Sequence, residues 1–487
     1  AAAMPSIIKA REKHLPTARA PSARGPAGAI RGTARSNTGE SAEGRGPHRG
    51  RENRFERGRK AKSPMSESAA VEKRVVRKIT LHLIPLMFSL YILAYLDRIN
   101  VGFAALQMNA DLNLSGTVFG VGSGIFFIGY FLFEIPSNLI LHRIGARFWI
   151  ARIMVSWGII SSAMMFVQGP KSFYGLRFLL GLAEAGFFPG MILYLTYWFP
   201  AKYLARNVAL FMTATAVAGI IGGPLSGALL TFHGFLGLAG WQWLFLLEGI
   251  PSVILGIGVW FLLTDRPHQA KWLTAEEKQW LDGQLSREAA DRPAGTGRNL
   301  REVFRSGRVW TFCAVYFALV VGLYAISLWM PLILRSLSTM SNLAIGLVST
   351  LPYFAACIAM VLIGRHSDRS GERRGHAALA LLTAAAGMAL SAFSDRVPAE
   401  ILCFMIAAVG IWGALGPFWA FSSSFLTGAG AAGGIALINS IGNLGGFTGP
   451  SLIGLLKDHT GDYESGMLVV AVLLSVGAAL TASIRTR

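Results

Sequence analysis

Charge is scarce in this chain: 15% of its 487 residues are Asp, Glu, Lys or Arg, against 53% hydrophobic residues. A soluble domain carries about a quarter charged residues, so an ordinary water-soluble fold is excluded. Cysteine is scarcer still. Cys313, Cys357 and Cys403 each fall in an apolar run without ligand spacing, which excludes a zinc centre or a disulfide framework and makes them small buried hydrophobes. Enzyme motifs are missing too. There is no paired metal-binding histidine and no nucleophile elbow, and Gly120-Val-Gly122 lacks the third glycine of a dinucleotide fingerprint. No enzyme, cofactor or metal is expected.

What the chain has instead is apolar length. Runs able to form spanning helices fall near 79–106, 116–141, 148–168, 172–199, 207–231, 241–264, 309–334, 342–364, 376–394, 399–424, 433–456 and 465–484. Roughly 20 apolar residues cross a bilayer. The expected fold is therefore an all-α polytopic membrane protein of twelve transmembrane helices. The 56 glycines, several at four-residue spacing such as Gly219, Gly223 and Gly227, suit helices that pack closely in lipid.

The net charge of +19 raises the question of nucleic acid, but its location argues otherwise. Residues 1–64 hold fifteen basic and five acidic side chains, more than half the excess, in a stretch rich in Gly, Ala, Pro, Ser and Arg. Such a composition predicts a disordered basic tail over 1–70. It has no apolar secretory core, and Met65 reads as the natural start. Elsewhere Lys and Arg mark one side of the membrane: Lys73, Arg74, Arg77 and Lys78 before the first span, then Arg143, Arg147, Lys202, Arg206, Arg365, Arg369, Arg373 and Arg374 in alternate connections. By the positive-inside rule both termini are cytoplasmic.

Residues 265–308 separate two halves, 71–264 and 309–487, each a six-helix bundle. Trp272, Leu273, Trp280, Leu281 and Leu285 within the separator predict an amphipathic helix along the cytoplasmic face. The halves read as copies. Arg143, Gly145 and Arg147 recur as Arg369, Gly371 and Arg373, and Gly223-Pro224 recurs as Gly449-Pro450, both at an offset of 226 residues.

Within the spans the ionisable residues are lopsided. Asp97, Arg98, Glu134, Arg177, Glu184 and Glu248 all belong to the first half. A charge at the bilayer centre costs about 2.5–3.5 kcal/mol on insertion scales, so such residues face a cavity, pair, or handle an ion. Arg177 and Glu184, seven residues apart, share a helix face. A guanidinium is a fork suited to carboxylate, which makes Arg98 and Arg177 candidate ligands for an organic anion. The other readings stay open: an interfacial role for Arg98, and a structural partnership with Asp97 for Arg177. Asp97 and Glu184 are candidate proton carriers, because the protonation of a buried acid beside an arginine depends on what that arginine holds. Glu134 and Glu248, beside helix-breaking Pro or Gly, are assigned to structure. Tyr95 and Tyr130 are candidate solute contacts, with plain packing as the alternative. Trp419, Asn439 and Asn443 offer stacking and hydrogen bonds from the second half, with helix packing as the alternative for the two asparagines.

The segment Gly364-Arg-His-Ser-Asp368-Arg369-Ser-Gly371-Glu-Arg373-Arg374 resembles the cytoplasmic motif of the major facilitator superfamily, with a degenerate first-half copy in which His142 replaces the acid. Tyr95-Leu-Asp97-Arg98-Ile-Asn100, Phe133-Glu134-Ile-Pro136-Ser-Asn138, Gly181-Leu-Ala-Glu184-Ala-Gly186-Phe-Phe-Pro189-Gly190 and Asn439-Ser-Ile-Gly-Asn443 are similar to the anion:cation symporter family, especially its tartrate-transporter-like members. Gln242 departs from the arginine usual in that family. The resemblance, over about residues 71–485, implies a proton-coupled importer of a small organic carboxylate in the cell inner membrane, with Asp97 and Glu184 as proton carriers and the arginines as anion ligands. Tartrate-like hydroxy-dicarboxylates, sugar acids and aromatic acids are the implied solutes. An anion exchanger without net proton flow, or a transporter-like sensor, are the alternatives. A monomer with no nucleic-acid partner is expected.

Overall fold

The computed structural model describes residues 64–290, 304–425 and 429–485; of the tail predicted over 1–70, residues 1–63 lie outside the described residues, and 64–70 are not disordered but open the first helix. The first half holds α1 (Pro64–Asp111), α2 (Gly116–Ile144), α3 (Ala146–Ala163), α4 (Pro170–Glu184), α5 (Phe187–Thr196), α6 (Ala201–Met212), α7 (Ala214–Leu229) and α8 (Gly240–Leu262). The second holds α10 (Gly307–Ser336), α11 (Asn342–Val348), α12 (Thr350–Ser370), α13 (Arg374–Ser391), α14 (Val397–Phe425), α15 (Ala429–Asn443), α16 (Gly445–Thr460) and α17 (Glu464–Ser483), with α9 (Ala275–Ala290) between the halves. The pairs α4–α5, α6–α7, α11–α12 and α15–α16 each make one pass.

Ten of the twelve passes are long and apolar enough by themselves to cross a membrane. The other two are α13, which starts on Arg-Gly-His and is thereby less apolar, and the pair α15–α16, each member of which is short. Large apolar side chains face outward, including Leu132, Ile135 and Leu139 on α2 and Ile254, Ile257 and Phe261 on α8. In water this belt would be a large exposed patch; in lipid it is the expected surface. Twelve passes bring the start of α1, the helix α9 and the end of α17 to one side, the terminal face. There Trp198 stacks on Trp272 with ring centres 5.4 Å apart, and Lys78 donates to Glu277 at 2.9 Å. Trp272 and Leu273 precede α9 rather than belonging to it.

The duplication is visible as packing. A Cβ on Gly120 of α2 would lie 2.3 Å from the Pro450 carbonyl oxygen of α16, and one on Gly346 of α11 would lie 2.2 Å from that of Gly223 in α7. Gly346 follows Gly120 by 226 residues. A Cβ on Gly102 would lie 2.9 Å from the carbonyl oxygen of Leu328, again 226 residues on, so the pseudo-twofold axis passes between those two. These close approaches hold the halves together at the face opposite the terminal one.

The halves differ in their fourth passes. The fourth pass leaves helical geometry at Ala185 and turns at Gly186, whose φ of 84° is left-handed and whose Cβ would lie 2.3 Å from Ser137 Oγ. Both constraints require glycine. The equivalent position in the second half is Trp412, inside the unbroken α14. The break follows directly on Glu184, so it sits at the charged centre of the first half.

Candidate functional site

Successive residues on a helix point about 100° apart. Asp97 and Arg98 of α1 therefore face different neighbours. Asp97 turns toward α3 and α8, where its carboxylate accepts from Trp157 Nε1 (2.5 Å), Ser161 Oγ (2.6 Å) and Ser252 Oγ (3.1 Å), and it is 1% exposed. Neutral donors, not an arginine, hold this acid. Arg98 turns toward α4: its Nε donates to Glu184 Oε1 at 2.6 Å, and its guanidinium lies 5.2 Å from the centre of the Tyr130 ring.

Arg98 also borders a cavity of about 60 Å³ between the halves. Tyr91, Tyr95 and Tyr130 of the first half line it with Tyr316, Tyr324, Asn439 and Asn443 of the second. Arg98 is the one charged residue among the described residues of that lining. A single fixed cation among phenols and carboxamides suits an anion bearing further hydrogen-bonding groups. A cavity of this size holds a few waters, so an organic solute must spread its walls.

The structure thus brings together Tyr95, Arg98, Tyr130, Asn439 and Asn443 at the cavity wall, with Glu184 directly behind Arg98. Arg177 is elsewhere. It is 1% exposed and donates from Nη2 to the Ser123 carbonyl at 3.0 Å, while its Nε and Nη1 have no hydrogen-bond partner among the described residues. Its guanidinium carbon lies 5.1 Å from the centre of the Phe126 ring, and that of Arg98 lies 5.6 Å from the same centre. Arg98 reaches the cavity wall, and Arg177 is not among the residues that line it. Trp419 packs on Tyr316 with ring centres 4.9 Å apart, one layer behind the wall.

Glu248 accepts from Ser226 at 2.9 Å, and Glu134 accepts from Asn439 and Ser440 across the halves. The cavity also uses Tyr91 and Tyr316, which the sequence reading did not single out. Spacing was the available signal: Tyr91, Tyr95 and Arg98 stand at i, i+4 and i+7, one face of α1, and Tyr316 and Tyr324 are two turns apart on α10.

Comparison with known proteins bears on the family and the fold. The family model described as Major Facilitator Superfamily matches residues 87–341 and 336–487. The chain is 52% identical to a "Putative tartrate transporter" of Agrobacterium vitis, covering 84% of this chain and 91% of that relative. It is 41% identical to a "Quinolone resistance transporter" of Acinetobacter baumannii, covering 84% and 94%. Among solved structures, a bacterial homologue of the human lysosomal transporter Spinster, inward-facing and unoccupied, aligns with a TM-score of 0.67 at 17% identity over 83% of this chain and 96% of that one. At that identity the likeness concerns the fold.

Proposed function

The chain belongs to the Major Facilitator Superfamily, and from that premise we propose that it imports a small organic carboxylate together with protons, by alternating access across the cell inner membrane with both termini cytoplasmic. The observation that carries the reading is Arg98: a guanidinium at the wall of the central cavity whose partner, Glu184, is fully buried. The name of the relative from Agrobacterium vitis favours tartrate or a similar hydroxy-dicarboxylate as solute.

In the empty carrier Glu184 neutralises Arg98. A solute carboxylate entering the cavity takes the guanidinium, and Glu184, its ion pair with Arg98 broken at a fully buried position, takes a proton in its place. Solute and proton thereby occupy the carrier together. Asp97, in its nest of hydroxyl and indole donors, is the second proton carrier. With both acids and the arginine neutralised the halves rock about the cavity, as repeats do in such carriers. The protein works as a monomer on this reading, since the cavity is built within one chain.

Uptake into reconstituted vesicles tests it. A pH gradient should drive accumulation of L-tartrate, and Asp97→Asn or Glu184→Gln should abolish it. A variant that still concentrates solute removes that acid from the coupling step.

A further inference from the structure

Glu134 stands one turn beyond Tyr130 on α2 and is 4% exposed. Its carboxylate accepts from Asn439 Nδ2 at 2.7 Å and from Ser440 Oγ at 2.9 Å, both on α15 of the other half. The remaining side-chain hydrogen bonds between halves, among the described residues, lie toward the opposite face: Asp458 accepts from the Gly116 and Thr117 backbone, Thr117 reaches Gly454, and Thr350 reaches Ile220. Among the described residues, Glu134 accepts the side-chain hydrogen bonds that join the halves on the terminal side of the cavity.

The duplication supplies an internal control. The positions equivalent to Glu134, Asn439 and Ser440 at the 226-residue offset are Met360, Thr213 and Ala214. They cannot form a carboxylate–amide bridge, so two packed halves of this kind do not require one. Asn439 is at the same time a wall residue of the cavity. The amide that borders the solute is the amide that satisfies the buried acid of the other half. A solute that draws Asn439 toward itself leaves Glu134 with Ser440 alone, and a buried carboxylate short of a donor is costly.

We propose that Glu134 is a positioning residue through which filling of the cavity releases one half from the other on the terminal side. This rests on the transport reading above, and it assigns to Glu134 a part in the cycle beyond holding the fold together.

The test uses the full chain with its three cysteines replaced and spin labels at Thr196, the end of α5, and Ser424, near the end of α14. The distance distribution between the labels reports the separation of the halves at the terminal face. In the empty protein Glu134→Gln should shift the ratio of conformers by about tenfold, and Ser440→Ala, on the other half, should shift it the same way by less. L-Tartrate should move the unsubstituted protein toward the Glu134→Gln distribution and change that variant little. Variants that melt near the parent temperature yet keep its empty distribution overturn the proposal. If the variants shift but L-tartrate moves nothing, the bridge stands and the solute assignment falls. Should Glu134→Gln fail to fold, Ser440→Ala decides alone.

Discussion

Arg98 and Glu184 meet through a single carboxylate oxygen. Nε and Nη2 lie 2.6 and 2.5 Å from Oε1, whereas Oε2 has no hydrogen-bond partner among the described residues. An ion pair that engages one oxygen leaves the other to take a proton. Glu184→Gln fixes the protonated form, so the variant should still exchange labelled for unlabelled solute across the membrane while accumulation driven by a pH gradient falls at least tenfold. Counterflow and net uptake in the same vesicles check this. Loss of both activities in a folded variant would assign Glu184 to solute binding instead of coupling.

Much of this arrangement could be read from the residues alone. The apolar runs give the twelve passes, the 226-residue offset gives the two halves, and the acids and arginines of the first half mark the charged helices. What could not be read was how each helix is turned. The seven-residue spacing puts Arg177 and Glu184 on one face of α4, but only the packing of α2 against α4 shows Arg177 capped by the Ser123 carbonyl and held off the cavity. The lack of room for a Cβ at Gly186 comes from Ser137, which is distant in sequence. The bridge from Glu134 to Asn439 joins residues 305 apart and exists only once the halves dock. Local periodicity carries the helices; contacts between distant segments carry the site.

The glycine contacts between the halves permit a second prediction. A methyl group on Gly120 or Gly346 would strike a backbone carbonyl, at 2.3 and 2.2 Å, which cannot rotate away. Gly120→Ala and Gly346→Ala should each disfavour closure at the face opposite the termini by about 1–3 kcal/mol. Gly258→Ala meets nothing within 4 Å and serves as the control. Distances between labels at that face should lengthen in the first two variants and stay unchanged in the third; equal behaviour of all three would mean that these contacts do not set the closed state.

Asp458 closes the same face by another means. Its two carboxylate oxygens accept from the backbone N–H groups of Gly116 and Thr117 at 2.8 and 2.7 Å, so an acid of α16 caps the first turn of α2. Asn has one acceptor and would turn its amide hydrogens on one of those donors. Asp458→Asn should therefore weaken closure by about 1 kcal/mol. The labelled distance should shift in the direction of Gly120→Ala but less far, and an unshifted distance would show that the cap adds nothing to closure.

The last prediction concerns the helix between the halves. Glu277 of α9, 2% exposed, accepts from Lys78 Nζ and from the Thr274 N–H at 2.9 Å each, and lies 3.3 Å from Arg74 Nε. Burial pushes its carboxyl upward, but the Lys78 and Thr274 hydrogen bonds and the charge of Arg74 outweigh that and hold it below the ordinary 4.5. A carboxyl depressed in the folded state contributes stability that is present above its unfolded value and drains as pH falls through the folded one. The docking of α9 on α1 should thus be constant from neutral pH to about 5 and weaken below 4.5. Glu277→Gln should cost about 1 kcal/mol at pH 7, since Lys78 and Arg74 are partly in water, and should flatten the acid limb. Thermal melting and proteolysis of α9 between pH 7 and 4, with the variant beside the parent, check both statements; parallel acid limbs in the two proteins would place the acid sensitivity in another carboxylate.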